Sequence, residues 1–304
     1  MTMPRRITPG DTWMITRRTT QRMFLLRPER TVNAIFEYCL AEAAARHGVV
    51  PIAWTVMSNH YHAIVHDPNG TLPAFLEQLH KMVAKCLNAH LGRWENFWST
   101  EETCCTRLVT TDDILDKVVY VLTNPVTAGL VASAAQWPGA TSWSLMGAKV
   151  TTRRRPHAFF KKDGRKMPEE VKLRAVVPPM LKGSAASQWV HRVREAVAAR
   201  EAELAEQRRK KNLPLVGRKN VLATNPFSAP STETRHRKLR PNLACKNKKL
   251  MAEAREVLRS FWSTYRDVLE VFRNDDRDVK FPAGTYRMRK LGACCTPFPK
   301  RRAA

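Results

Sequence analysis

The stretch "VVPIAWTVMSNHYHAIVH", residues 49–66, decides how this chain is read. Its first nine residues are β-rich, Ser58-Asn59 supply turn chemistry, and "HYHAIVH" resumes the β pattern, so the stretch predicts a hairpin. Side chains at i and i+2 of a strand share a face. His60 and His62 therefore stand together at the start of the second arm, while Tyr61 points the other way. Two imidazoles on one face suit two ligands of one divalent ion. Taken alone, the short H-x-H pattern reads more readily as chance or as a satisfied polar pair at a sheet edge, so a metal site needs a partner elsewhere in the chain.

Upstream, "TWMITRRTT" (12–20) has strand composition, and residues 28–48 carry Val32, Ile35, Phe36, Cys39, Leu40 and Ala43 at helical spacing, with Gly48 as the stop. Downstream, "TLPAFLEQLHKMVAKCLNAHLG" (71–92) is an amphipathic helix closed by Gly92, and residues 96–109 read as one further strand or hairpin arm. Thr111-Asp112 then read as the cap of a helix, "DILDKVVYVLTN", expected to stop at Asn124 because Pro125 follows. The order through residue 124 is β-α-β-β-α-β-α. It predicts an α+β domain over residues 1–147, one antiparallel sheet with helices packed on it.

The partner for the histidines lies in that last helix. Tyr120 and Asn124 are four residues apart, hence on one face, while Leu115, Val118, Val119 and Leu122 read as its core stripe. If the helix crosses the sheet, Asn124 offers an amide oxygen as a third ligand and Tyr120 sits beside the ion. Mixed nitrogen and oxygen donors with open positions suit Mg²⁺ or Mn²⁺ at a phosphate better than the thiolate-rich sets that hold zinc. A phenol of pKa about 10 needs such help to act as a nucleophile.

Charge points to the partner. The 304 residues carry a formal net charge of +25, yet residues 1–147 hold 13 Lys and Arg against 12 Asp and Glu, whereas residues 148–304 hold 39 against 15. Such one-sided charge favours a polyanion, and counterion release makes nucleic acid the leading candidate; a solvated basic tail is the plain alternative. The second half, 148–304, reads as a basic, mainly helical extension with helices at Ala186–Lys211 and Lys248–Arg273, and an extended Pro-, Asn- and Arg-rich segment between them. Candidate DNA contacts are Arg17 and Arg18, neighbours of which only one can face the site, and Arg235, Arg237, Lys238 and Arg240 of "RHRKLR". Phe159, Phe160, Trp189, Phe227, Trp262 and Tyr286 are interleaved with the basic residues, as in surfaces that stack bases, although Trp262 lies with Tyr265 on a helical stripe that reads as core.

Seven cysteines, an odd number without C-x-x-C spacing, fit a reducing compartment. No stretch reads as a signal peptide or membrane span, so the expected location is the cytoplasm, in association with the nucleoid.

"VMSNHYHAIV", followed after about fifty-five residues by "VVYVLTNPVTAGLV", closely resembles the single-tyrosine HUH transposases, specifically the REP-associated tyrosine transposases. The resemblance covers roughly residues 12–147. It implies a ferredoxin-like HUH fold, His60 and His62 as metal ligands and Tyr120 as nucleophile; Asn124 as third ligand rests on its helical spacing from Tyr120. It further implies a transposase and endonuclease of DNA transposition and recombination. Such an enzyme cleaves single-stranded, hairpin-forming DNA through a 5′-phosphotyrosine and a free 3′-OH, and can rejoin the ends. Two departures stand out: "TRRTTQRMFLLRP" lacks the glycine of the family's usual turn after the first strand, and position 123 is Thr where relatives often carry Asn or His. Two other readings fit the same residues: a domesticated, non-catalytic nucleic-acid-binding protein, and a phosphodiesterase that uses water. Monomer and dimer are both compatible with the sequence.

Overall fold

The computed structural model describes residues 3–147, 150–156, 167–231, 241–274 and 276–298. Arg235, Arg237, Lys238, Arg240, Phe159 and Phe160 lie outside the described residues.

The protein is α+β. Strand β1 (Asp11–Arg18) leads to helix α1 (Arg30–His47), which Gly48 ends in the left-handed conformation at φ 67°. Then come β2 (Val50–Val56), β3 (His60–Asp67), α2 (Leu72–His90), β4 (Cys104–Leu108) and α3 (Thr111–Thr127). Strands β2 and β3 form the expected hairpin, and β1 pairs antiparallel with both β3 and β4. At the end of β3, the Asp67 carboxylate accepts the backbone N–H groups of Thr71 and Leu72 at 2.9 and 2.8 Å, which caps α2.

The beginning and end of α3 differ from expectation. Its cap is Thr110, whose hydroxyl accepts from the Asp113 N–H while the Asp113 carboxylate accepts from the Thr110 N–H, a reciprocal capping box one residue earlier than Thr111. The helix also runs through Pro125 to Thr127. Proline removes one N–H, but the next turn is closed by the Ala128 N–H on the Asn124 carbonyl at 2.9 Å, and Val126 is buried. The lost bond is confined to the last turn, where Asn124 stays helical.

Residues beyond 147 are built into the same body. Strands β5 (Thr151–Arg154) and β6 (Glu170–Leu173) form a small antiparallel sheet against α1. Helix α4 (Gly183–Lys210) packs along α3 and buries Trp189, Val193 and Val197 in the main apolar cluster. Trp189 is therefore core, not a base-stacking surface. After the short helix α5 (Arg218–Ala223), strand β7 (Leu243–Ala244) pairs parallel with β4. The sheet has the order β2-β3-β1-β4-β7, and its one parallel pair comes from the segment expected to be merely extended. Helix α6 (Lys248–Arg273) has the expected bounds, and α7 (Tyr286–Lys290) follows. The Trp262 indole donates to the Pro4 carbonyl at 2.9 Å, which ties α6 to the N-terminal segment.

The two faces of the sheet are covered differently. Tyr61 is buried against Phe36 of α1 and His80 of α2, so those helices cover its face. Helix α3, with α4 outside it, covers the opposite face, where His60 and His62 stand. No helix among the described residues is long and apolar enough to cross a membrane.

Candidate active site

Strand register assembles the first half of the site. In the β1–β3 ladder Thr16 lies opposite His62 and Arg18 opposite His60, so all four side chains share one face. Thr16 Oγ1 is 2.8 Å from His62 Nδ1. His60 Nδ1 is 2.7 Å from Asn59 Oδ1, and Asn59 Nδ2 donates to the Arg22 carbonyl at 3.1 Å. The second bond fixes which end of the Asn59 amide faces the ring: its oxygen can only accept, so His60 carries its proton on Nδ1. The turn that holds Asn59 in place is the one lacking glycine. Gln21 and Arg22 both adopt left-handed conformations there, at φ 48° and 58°, a strained geometry for residues with a Cβ.

Helix α3 supplies the second half. The Tyr120 ring lies edge-on to His62 with centroids 5.3 Å apart, and His62 is likewise edge-on to His60 at 4.8 Å. Asn124 lies beside both the His60 imidazole and the Tyr120 phenol, near enough to affect the charge of each. His60, His62, Tyr120 and Asn124 thus form one cluster, with Tyr120 42% exposed at its mouth and His62 buried at its base.

Burial sets the protonation states. Burial above all, and then the Arg18 charge, lower the His60 pKa to about 4, against a smaller opposing effect of Asn124. His62 is pushed well below its ordinary value by burial and by the neighbouring His60 and Arg18. Both rings are neutral at pH 7, the form a metal requires. Burial raises the Tyr120 phenol, opposed by Asn124 and the Arg18 charge.

Two neutral imidazoles and a carboxamide fit the nitrogen-and-oxygen set of a catalytic divalent ion, with His60, His62 and Asn124 as the residues that would hold it. Among the described residues no group of three or more His, Cys, Asp or Glu side chains is placed to hold a metal ion.

The two arginines of β1 part company. Arg17, on the Tyr61 face, donates to the carbonyls of Glu101 and Ser99 and to Thr103 Oγ1, at 2.5, 3.0 and 3.2 Å, and so anchors the loop before β4. Arg18 is exposed on the histidine face. Thr123 turns its hydroxyl back to the Val119 carbonyl at 2.8 Å. Leu115 and Val119 do not belong to the buried stripe of α3, which is Ile114, Val118, Val121 and Leu122; they line a cleft beside Tyr120.

Sequence reading missed Thr16, Asn59 and the outer wall of that cleft. Asn59 adjoins the histidines in the chain and could have been singled out as a hydrogen-bonding neighbour. Thr16 becomes relevant only through the β1–β3 register, and the cleft wall only through the packing of α4 on α3.

No family model matches this chain, and no curated protein matches it. Among solved structures, it is similar to a REP-associated tyrosine transposase bound to a REP hairpin, with 19% identity over 61% of this chain and 97% of that chain and a TM-score of 0.41. It is also similar to a protein described as a transposase from Deinococcus radiodurans R1, with 20% identity over 41% of this chain and 97% of that one and a TM-score of 0.30.

Proposed function

We propose that the protein is a metal-dependent transposase-type endonuclease that nicks and rejoins single-stranded, hairpin-forming DNA. The observation that carries the proposal is the contact of Tyr120 with His62, with Asn124 beside both Tyr120 and His60. A phenol at the mouth of a buried, neutral histidine pair is an arrangement for attack on a phosphodiester, not for packing.

His60, His62 and Asn124 would hold Mg²⁺ or Mn²⁺, which when bound polarises the scissile phosphate and offsets charge developing on it. The phenol oxygen of Tyr120 attacks phosphorus; the Oη–P bond forms, the P–O3′ bond breaks, the phenolic proton is lost and O3′ leaves as a hydroxyl after gaining a proton. The product is a 5′-phosphotyrosine, and attack by a 3′-OH reverses the step. Asn124 orients the phenol and favours its ionised form, partly offsetting the effect of burial. Arg18, exposed on the same face, contributes positive charge for the incoming backbone. DNA on the basic second half would place the protein with the nucleoid in the cytoplasm.

Single-stranded hairpin oligonucleotides incubated with Mn²⁺ are expected to form an SDS-stable adduct with the protein. The adduct is lost in Tyr120→Phe and falls at least a hundredfold in His62→Ala. An adduct that persists in Tyr120→Phe removes Tyr120 as nucleophile. Release of nicked product without any adduct assigns the attack to water, and binding without cleavage favours a domesticated binding protein.

A further inference from the structure

The cleft beside Tyr120 is not part of the histidine cluster. It holds about 590 Å³ and lies between α3 and α4, lined on one side by Leu115, Asp116, Val119, Tyr120, Thr123 and Thr127 and on the other by Ala196, Ala199, Arg200 and Glu203, with Lys246 at its edge. The small side chains of Ala196 and Ala199 on α4 leave the space between the helices unfilled here. Leu115, Val119, Ala196 and Ala199 give it an aliphatic patch among polar and charged neighbours, and each cation at the rim is held by an acid: Arg200 pairs with Glu203 at 2.6 Å and Lys246 with Asp116. Both pairs lie at the surface, where an ion pair contributes little, so a phosphate can displace either acid at little cost. Lys117 adds a third cation, 5.8 Å from the centre of the Tyr120 ring.

Resting on the reading of Tyr120 as nucleophile, we propose that this cleft receives the nucleotide next to the scissile phosphate of a single-stranded DNA. Its base lies against Leu115, Val119, Ala196 and Ala199, and its backbone phosphate is taken by Arg200 and Lys246. The occupant follows from three features: the cleft opens at the tyrosine that attacks the phosphate, its volume is within the range of small-ligand sites, and it sets aliphatic side chains beside Arg200 and Lys246, two cations that a phosphate can take from their surface carboxylate partners, the pairing that binds unstacked bases. The basic second half of the chain then contributes through α4 a wall of the site itself and helps select which nucleotide flanks the cut.

The test uses the full chain carrying Tyr120→Phe, so that binding is read apart from chemistry, and a fluorescein-labelled 40-nucleotide single-stranded DNA pool, random except for a fixed central hairpin. Ala199 is exposed, so Ala199→Trp fills the cleft without entering the core. It is expected to weaken binding about tenfold. Arg200→Gln is expected to weaken it about fivefold and to reduce the salt dependence by about one counterion. Arg194→Gln, an equal charge loss on an exposed part of α4 outside the cleft, is expected to change affinity less than twofold. Binding unchanged in both Ala199→Trp and Arg200→Gln, or an equal loss in Arg194→Gln, overturns the cleft assignment even where the wild-type chain forms its Tyr120 adduct. Loss of binding as predicted, with no adduct in the wild-type chain, keeps the cleft as a DNA site and overturns the catalytic reading instead.

Discussion

At the scale of single residues, the candidate site depends on what holds the histidines as much as on the histidines themselves. Asn59 ties two features together: its oxygen accepts the His60 Nδ1 proton, and its nitrogen holds the carbonyl of Arg22 in the strained turn after β1. Removing that amide leaves the His60 tautomer and ring angle undefined, the usual consequence of losing a residue that orients a metal ligand. Asn59→Ala is therefore expected to lower Mn²⁺ affinity about tenfold or more by isothermal titration, with no change in the far-ultraviolet circular dichroism at 25 °C. Unchanged affinity would show that His60 is oriented by Asn124 alone. The lesson of Arg17 and Arg18 is similar. Adjacent and identical in the sequence, they differ in role because the pleat sends one to anchor a loop and the other to the face of the site.

At the scale of elements, α3 is the part that has to be placed accurately. It carries Tyr120 and Asn124 one turn apart, so a shift of one residue along the helix axis would rotate both off the histidines. Its start is defined by the Thr110–Asp113 capping box, and Asp113 also accepts the Lys246 N–H at 2.8 Å, which links the cap to the segment that carries β7. Thr110→Ala removes the cap and is expected to cost about 1 kcal/mol in urea denaturation. A loss under about 0.3 kcal/mol would mean that packing against α4 alone fixes where the helix begins. The far end is held differently: the helix passes Pro125 because the next turn is bonded back to Asn124, which keeps that residue helical and facing His60.

At the scale of the whole molecule, stability and the site share a dependence on neutral histidines. Burial lowers His60 to about 4 and His80, which is hydrogen-bonded to Tyr61 at 2.7 Å, to about 3; His62 is also well below its ordinary value. In the unfolded chain these rings take up protons near pH 6.5, while in the folded protein they do not until near pH 4 or below. The unfolded state therefore binds more protons as pH falls below 6.5, and the stability present above that value is progressively lost toward the folded-state pKa values. The melting temperature is expected to fall from pH 7 to pH 5, before most carboxylates titrate, and the fall should be smaller in His80→Gln. A melting temperature flat over that range would show the rings to be more solvated than their burial implies.

The sequence by itself determined several features that depend on neighbours within about four residues: the β2–β3 hairpin, the two imidazoles on one face, Tyr120 and Asn124 on one helical face, and the bounds of α6. Those follow from the fixed periods of strand and helix, which any folded arrangement must respect. Only the tertiary structure decided that Thr16 faces His62, that β7 returns from residue 243 to join the sheet, that Pro125 does not end α3, and that α4 forms a wall beside Tyr120. Those outcomes turn on which distant surfaces bury one another, a sum over the whole chain that no local pattern records.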